Sequence, residues 1–176
     1  MKLFKPDLKV ESLTDINIPY WYDKGVRCVL IDLDNTISPW RTDNITDEAY
    51  SMISGCRDAG ITVVLFTNAS EKRAKEAAWK AGVAYYAKVR KPFTFRYKKA
   101  IAELGCKAGQ VMAVGDQIFT DVLGGNLAGC VTVLTEPLTE VEFIGTRLLR
   151  FLEKWVVGRK LVFRGHARRF NNLTKS

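Results

Sequence analysis

Val29-Leu30-Ile31-Asp32-Leu33-Asp34-Asn35-Thr36 continues an apolar run begun at Cys28 and breaks it with two carboxylates one residue apart. A short apolar run ended by a turn signal reads as a buried parallel strand, here about 28–32, covered on both faces. Asp32 then stands at the carboxyl end of that strand, where open α/β sheets bind ligands. Two acids crowded together repel each other and lose hydration, so a fold keeps them with a compensating charge. A divalent cation is the simplest such charge. In this reading Asp32 is a nucleophile, and Asp34 donates and accepts protons. Asp-x-Asp alone could equally end a strand and begin a turn, so the neighbouring stretches decide.

Downstream the pattern repeats. Thr46 caps a helix with Asp47 and Glu48 in its first turn and Gly60 at its end. Residues 61–66 form a second apolar strand running into Thr67-Asn68, and Ser70 caps a helix that reaches Ala81 and Gly82. A short strand at 83–86 leads to Lys88-Val89-Arg90-Lys91-Pro92 and a helix over 94–104. Strand 111–114 breaks at Gly115-Asp116-Gln117, helix 118–128 follows, and strand 131–134 comes last. Strands alternating with helices at this spacing predict an α/β fold of three layers, α/β/α, on a central parallel sheet of about five strands. Residues 1–25 read as an extension with a short helix near 7–13 or 13–16, and Tyr20-Trp21-Tyr22 as core packing.

At 176 residues, 47% hydrophobic and 26% charged, the chain suits one globular domain with a real core. Its four cysteines form no Cys-x-x-Cys pair and it has one histidine, which argues against a structural zinc site and for a reduced setting. No signal peptide and no run of 18 apolar residues is present, so a cytoplasmic location is expected. The net charge of +8 is uneven. Residues 1–140 carry 18 Lys and Arg against 17 Asp and Glu, whereas 141–176 carry 9 against 2. An anionic partner for that tail is the expectation.

Parallel strands place all their carboxyl ends on one edge. Asp32 and Asp34, Thr67 and Asn68, Lys91, and Asp116 with Asp121 can therefore converge although they are far apart in sequence. Two acids for attack and proton transfer, a hydroxyl and an amide for oxygens, a fixed cation and a second acid pair suit a phosphate monoester.

The chain resembles the haloacid dehalogenase (HAD) superfamily phosphatases of type IIIA. The four motifs read Asp32-Leu33-Asp34-Asn35-Thr36, Phe66-Thr67-Asn68, Lys91-Pro92 and Gly115-Asp116-Gln117-Ile118-Phe119-Thr120-Asp121. The resemblance implies a Rossmann-like HAD core over 26–140. It also implies an aspartyl-phosphate on Asp32, and magnesium held by Asp32, the Asp34 backbone carbonyl and Asp116. Thr67, Asn68 and Lys91 would bind the phosphoryl oxygens, with Lys88 and Arg90 as alternatives to Lys91. Asp121 would hold Lys91 or a metal-bound water. Burial beside other acids would favour the protonated form of Asp34.

Only 24 residues separate Thr36 from Ile61 and 22 separate Asn68 from Lys91, so no cap domain fits. An open site suits a substrate on a large body or membrane, or one closed over by a second subunit in a homo-oligomer. The narrower resemblance, carried by the motif-four sequence, Gly124-Gly125-Asn126 and Pro137-Leu138, is to the YqeG branch. That branch is related to mitochondrial phosphatidylglycerophosphate phosphatases, which implies hydrolysis of this lipid phosphate to phosphatidylglycerol. Ile144, Leu148, Phe151, Leu152, Trp155 and Val156 form an apolar stripe in the basic tail (141–176). It would either pack on the sheet or lie on an anionic membrane at its inner face. A soluble nucleotide or sugar-phosphate phosphatase is the alternative. An RNA-binding module with a vestigial site is the weakest reading, because every expected carboxylate is present.

Overall fold

The computed structural model describes residues 2–42 and 44–139. The expectations for the basic tail lie outside these residues. Six strands form one sheet: β1 (Leu8–Val10), β2 (Cys28–Ile31), β3 (Thr62–Phe66), β4 (Ala84–Tyr86), β5 (Val111–Gly115) and β6 (Val131–Thr135). Every pairing is parallel, in the order β1-β6-β5-β2-β3-β4. Five helices cover it: α1 (Ile18–Asp23), α2 (Asp47–Asp58), α3 (Glu71–Ala81), α4 (Thr94–Glu103) and α5 (Leu123–Ala128).

The continuous apolar run of β2 follows from its central place. Val29 and Ile31 enter the core shared with α2 and α3, while Cys28 and Leu30 enter the core shared with α4. A strand alternating between two buried faces has no polar position to spare. The chain moves outward from β2 to β3 and β4, then crosses back to β5 and β6. The sheet therefore reverses direction between β2 and β5, the switch point at which such sheets open a ligand crevice. Asp32 follows β2 there, its N–H still donating to Val114 O at 2.9 Å, and Asp116 follows β5.

Three expectations change. Of the two places expected for a short helix, 13–16 carries one, a 3₁₀ turn at Leu13–Asp15, whereas 7–13 contributes an edge strand, β1, so the sheet has six strands. The Leu-Lys-Val of β1 alternates as a strand should, and Val10, Leu13, Ile16 and Ile18 are buried in the core. Tyr20-Trp21-Tyr22 lies on α1, where consecutive residues point in different directions. Trp21 packs on the core and the two tyrosines are exposed. The helix expected over 118–128 begins as a π-helical turn, Ile118–Val122, before α5.

The remaining ends follow the sequence signals. Thr46 Oγ1 accepts from Ala49 N, and Gly82 ends α3 at φ 65°. Cys28, Cys56 and Cys130 are buried, and burial pushes each thiol up to about 12, as small apolar packing residues should behave. Among the described residues no helix is long and apolar enough to cross a membrane. The connections following β2 and β3 each contain a single helix, α2 and α3, with no inserted domain.

Candidate active site

Lys91 forms the centre of the site. Its Nζ lies 2.6 Å from Asp32 Oδ1 and 2.5 Å from Asp121 Oδ1, and its side chain is 3% exposed. Asp121 reaches it from the π-helical turn, and its Oδ2 accepts from Gln117 N at 3.3 Å and Thr120 Oγ1 at 3.1 Å. That approach requires Gly115, where a Cβ would overlap the Asp121 carboxyl group. Gly124 similarly admits the ring of Tyr97 and the backbone of Pro92, bringing α4 and α5 together behind the lysine. Single π turns occur often where a helix must redirect a functional side chain.

Asp32, Asp116 and Asp121 are buried, and one carboxylate oxygen from each lies within 4.8 Å of the others. With Lys91, three acids and one ammonium, they carry a formal charge of −2 when ionised. An all-oxygen, net-negative donor set fits a hard divalent cation. Burial pushes the Asp32 carboxyl up to about 6; Lys91 opposes that rise and Asp121 adds to it. Burial alone would lower Lys91, but the Asp121 and Asp32 carboxylates outweigh it and hold the ammonium charged. A carboxyl shifted upward keeps its proton further into the neutral range, so below about pH 6 a metal must displace that proton from Asp32. Magnesium affinity should accordingly fall about tenfold per pH unit below 6 and level off above it. Calorimetric titrations in buffers of different ionisation enthalpy should detect one proton released at pH 5 and almost none at pH 7.5.

The turns that follow β3 and β4 are joined. Val89 N donates to Thr67 O, Lys88 N to Ala69 O, and Asn68 Oδ1 accepts from Lys91 N at 2.8 Å. Thr67 is buried, with its Oγ1 accepting from Ala69 N at 3.1 Å; Asn68 is exposed. Lys88 and Arg90 are exposed at φ 50° and 55°, whereas Lys91 points into the acids. Asn35 and Arg41 also adopt positive φ, at 61° and 55°. All four lie on the loops that follow β2 and β4, where the carboxyl edge carries the candidate site residues. Backbone strain of this kind clusters at functional sites.

Asp34 differs from expectation. Its carboxylate is paired with a cation: Arg73 Nη2 and Nη1 donate to its two oxygens at 2.8 and 3.0 Å. Arg41 N adds a third bond at 3.1 Å. The cause is local. The loop after Asp34 bridges back at Ser38, and Arg73 occupies the first turn of α3, which begins on the same edge of the sheet. Arg73 is absent from the sequence-derived residue set. Its one signal is misplacement, because a cation in a first helical turn opposes the helix dipole and needs a local partner. A bidentate guanidinium fixes carboxylate orientation. Arg73→Ala should lower kcat roughly 10- to 100-fold through loss of alignment, with a smaller change in KM for a small ester. Steady-state kinetics on the purified variant tests this.

The chain is similar to several known proteins. The model of a family described as mitochondrial PGP phosphatase matches residues 1–139. The "Probable phosphatase YqeG" of Bacillus subtilis (strain 168) is 30% identical over 165 residues, covering 94% of this chain and 95% of its own. Phosphatidylglycerophosphate phosphatase 1, chloroplastic/mitochondrial, of Arabidopsis thaliana is 28% identical over 167 residues, covering 86% of this chain and 48% of its own. The chain thus spans about half the length of that plant relative. Among solved structures, the cobalt-bound deoxy-D-mannose-octulosonate 8-phosphate phosphatase YrbI of Haemophilus influenzae superposes with a TM-score of 0.52 at 16% identity, covering 64% of this chain and 69% of that one. A chain described as a HAD superfamily hydrolase of subfamily III A from Legionella pneumophila gives 0.53 at 16% identity, covering 71% and 73%. The two structures share the fold.

Proposed function

The chain belongs to the mitochondrial PGP phosphatase family, and on that premise we propose that it hydrolyses phosphatidylglycerophosphate through an aspartyl-phosphate on Asp32, with magnesium as its metal. It is a phosphatase of the HAD type, a phosphoric monoester hydrolase. The observation that carries the mechanism is a buried carboxylate held by a buried lysine, with two further acids within 4.8 Å at the switch point of the sheet.

In the first half-reaction an Asp32 oxygen attacks phosphorus, the bond from phosphorus to the ester oxygen breaks, and that oxygen takes a proton from Asp34. In the second, a water gives a proton to Asp34 and attacks phosphorus. The bond to Asp32 breaks and phosphate leaves. Lys91 stabilises the equatorial oxygens, and its charge stays fixed because Asp121 holds it from the other side. Thr67 and Asn68 shape the turn over which those oxygens would lie, and Asn68 also fixes the Lys91 backbone. Asp34 must leave the Arg73 clamp, or turn within it, to deliver its proton, so Arg73 governs when the acid is available. Asp32, Asp116 and the Asp34 carbonyl would hold the magnesium, which supplies charge neutralisation for two anions that must meet.

The lipid assignment is supported by the family match and, among the described residues, by connections after β2 and β3 that hold no inserted domain. A peripheral position at the inner face of an anionic membrane follows from such a substrate. A panel of phosphate esters, with phosphatidylglycerophosphate in mixed micelles, tests the proposal. The lipid should exceed nucleotides and sugar phosphates by at least about 100-fold in kcat/KM, and chelation should abolish all turnover. Equal or better turnover of a soluble ester would overturn the lipid assignment.

A further inference from the structure

We propose that the turn and helix start immediately after Lys91 form a docking surface for an anionic lipid bilayer, with Phe93 and Phe95 as its apolar anchors. The surface gives the proposed lipid phosphatase a way to meet its substrate, and in that respect it rests on the reading above.

On α4, Tyr97, Ala100 and Ile101 face the core. The other side should therefore be polar. It carries Phe95 at 55% exposure, preceded by Phe93 at 63%. A single exposed apolar residue is ordinary, but two phenyl rings two residues apart at the mouth of a site are not. Cations surround them. From Lys88 to Ala102 there are six Lys and Arg and no acid. Of these six, Lys91 is buried in the site, while Lys88, Arg90, Lys98 and Lys99 are exposed; Lys99 Nζ lies 3.6 Å from Glu103 Oε1 one turn on, which leaves Lys88, Arg90 and Lys98 as the main cations of the surface. Phe95, Lys98 and Lys99 are three and four residues apart and share a helix face. The Arg96 guanidinium lies over the Phe95 ring, 5.0 Å from its centroid.

Exposed phenyl rings flanked by Lys and Arg match an anionic bilayer, with rings at the acyl boundary and cations among the phosphates. A single-stranded nucleic acid would need open ring faces for stacking, and Arg96 covers one face of Phe95. The surface is also continuous with the chemistry. Phe93 N donates to Arg90 O at 3.0 Å, closing a turn with Lys91 inside it. The anchors thus follow directly on the turn that delivers Lys91 to the site.

The test uses the full chain, sedimented with vesicles of phosphatidylcholine alone or mixed with phosphatidylglycerol. The wild type should bind the anionic vesicles, less as salt is raised. Phe93→Ser with Phe95→Ser should weaken binding about tenfold or more, and Lys98→Glu about fivefold. Turnover of p-nitrophenyl phosphate should be unchanged in these variants, showing that they fold. Binding unaffected by the double phenylalanine change overturns the proposal. So does loss of vesicle binding together with retained, Phe-dependent binding of single-stranded RNA. The two readings separate cleanly. Phe-dependent vesicle binding without lipid hydrolysis sinks the substrate assignment and leaves the surface standing; lipid hydrolysis with Phe-independent binding does the reverse.

Discussion

Replacing Asp32 with asparagine should reduce turnover by at least about 10⁴-fold on every ester the protein accepts. The amide has the shape of the carboxylate, and its oxygen can still accept from Lys91, so the variant should fold and keep its thermal transition. What it loses is the nucleophile. An amide oxygen does not displace an alkoxide from phosphorus, and the remaining groups only bind and orient. Water attacking directly would meet a site built to hold the phosphoryl group against residue 32, with Asp34 aligned for a leaving oxygen on the far side. Stopped assays at high enzyme concentration, with thermal unfolding as the folding control, give the result. Residual activity within about tenfold of wild type would remove Asp32 from its role.

Lys91→Met should have the second largest effect, and it should appear twice. Turnover should fall about 10²- to 10³-fold, because a fixed charge at the equatorial oxygens is lost. Stability should fall as well, by about 3–5 kcal/mol at neutral pH, since the change leaves Asp32 and Asp121 buried and uncompensated. The sign with pH follows from the direction of the Asp32 shift. Its carboxyl already lies above the ordinary value, at about 6, and losing the ammonium moves it further up. A carboxyl raised in the folded state contributes stability below its unfolded pKa and loses it as pH rises through the folded one. The variant should therefore be closer to wild type at pH 5 than at pH 8. Thermal unfolding at both pH values tests this, and an equal deficit at both would contradict the account.

Much of the site was legible because parallel sheets collect strand ends on one edge. Asp32, Thr67, Asn68, Lys91, Asp116 and Asp121 each follow a strand or its turn, and an apolar run ending in a polar pair marks such places locally. The sequence leaves Asp121 a choice between Lys91 and a metal-bound water, and the Lys91 and Asp121 side chains meet directly at 2.5 Å. Arg73 was not legible in the same way. It comes from a helix, and its pairing with Asp34 spans 39 residues and depends on how α3 sits over the edge. Propensity has nothing to say about that distance. The edge strand β1 was missed for a related reason: Leu8-Lys9-Val10 is too short to show a period and exists because β6 offers it an unpaired edge. The exposed Phe93 and Phe95 read as half of an amphipathic pattern until burial shows that the core uses the opposite face of α4.

The central claim is that an oxygen of Asp32 takes the phosphoryl group before water removes it. A crystal structure of the protein with magnesium and beryllium fluoride tests it most directly, since trifluoroberyllate mimics a phosphoryl group bonded to a carboxylate. The account predicts beryllium bonded to an Asp32 oxygen, with Lys91 shared between the fluorides and Asp121. Beryllium fluoride bonded to another side chain, or bound with both Asp32 oxygens unbonded, would contradict it.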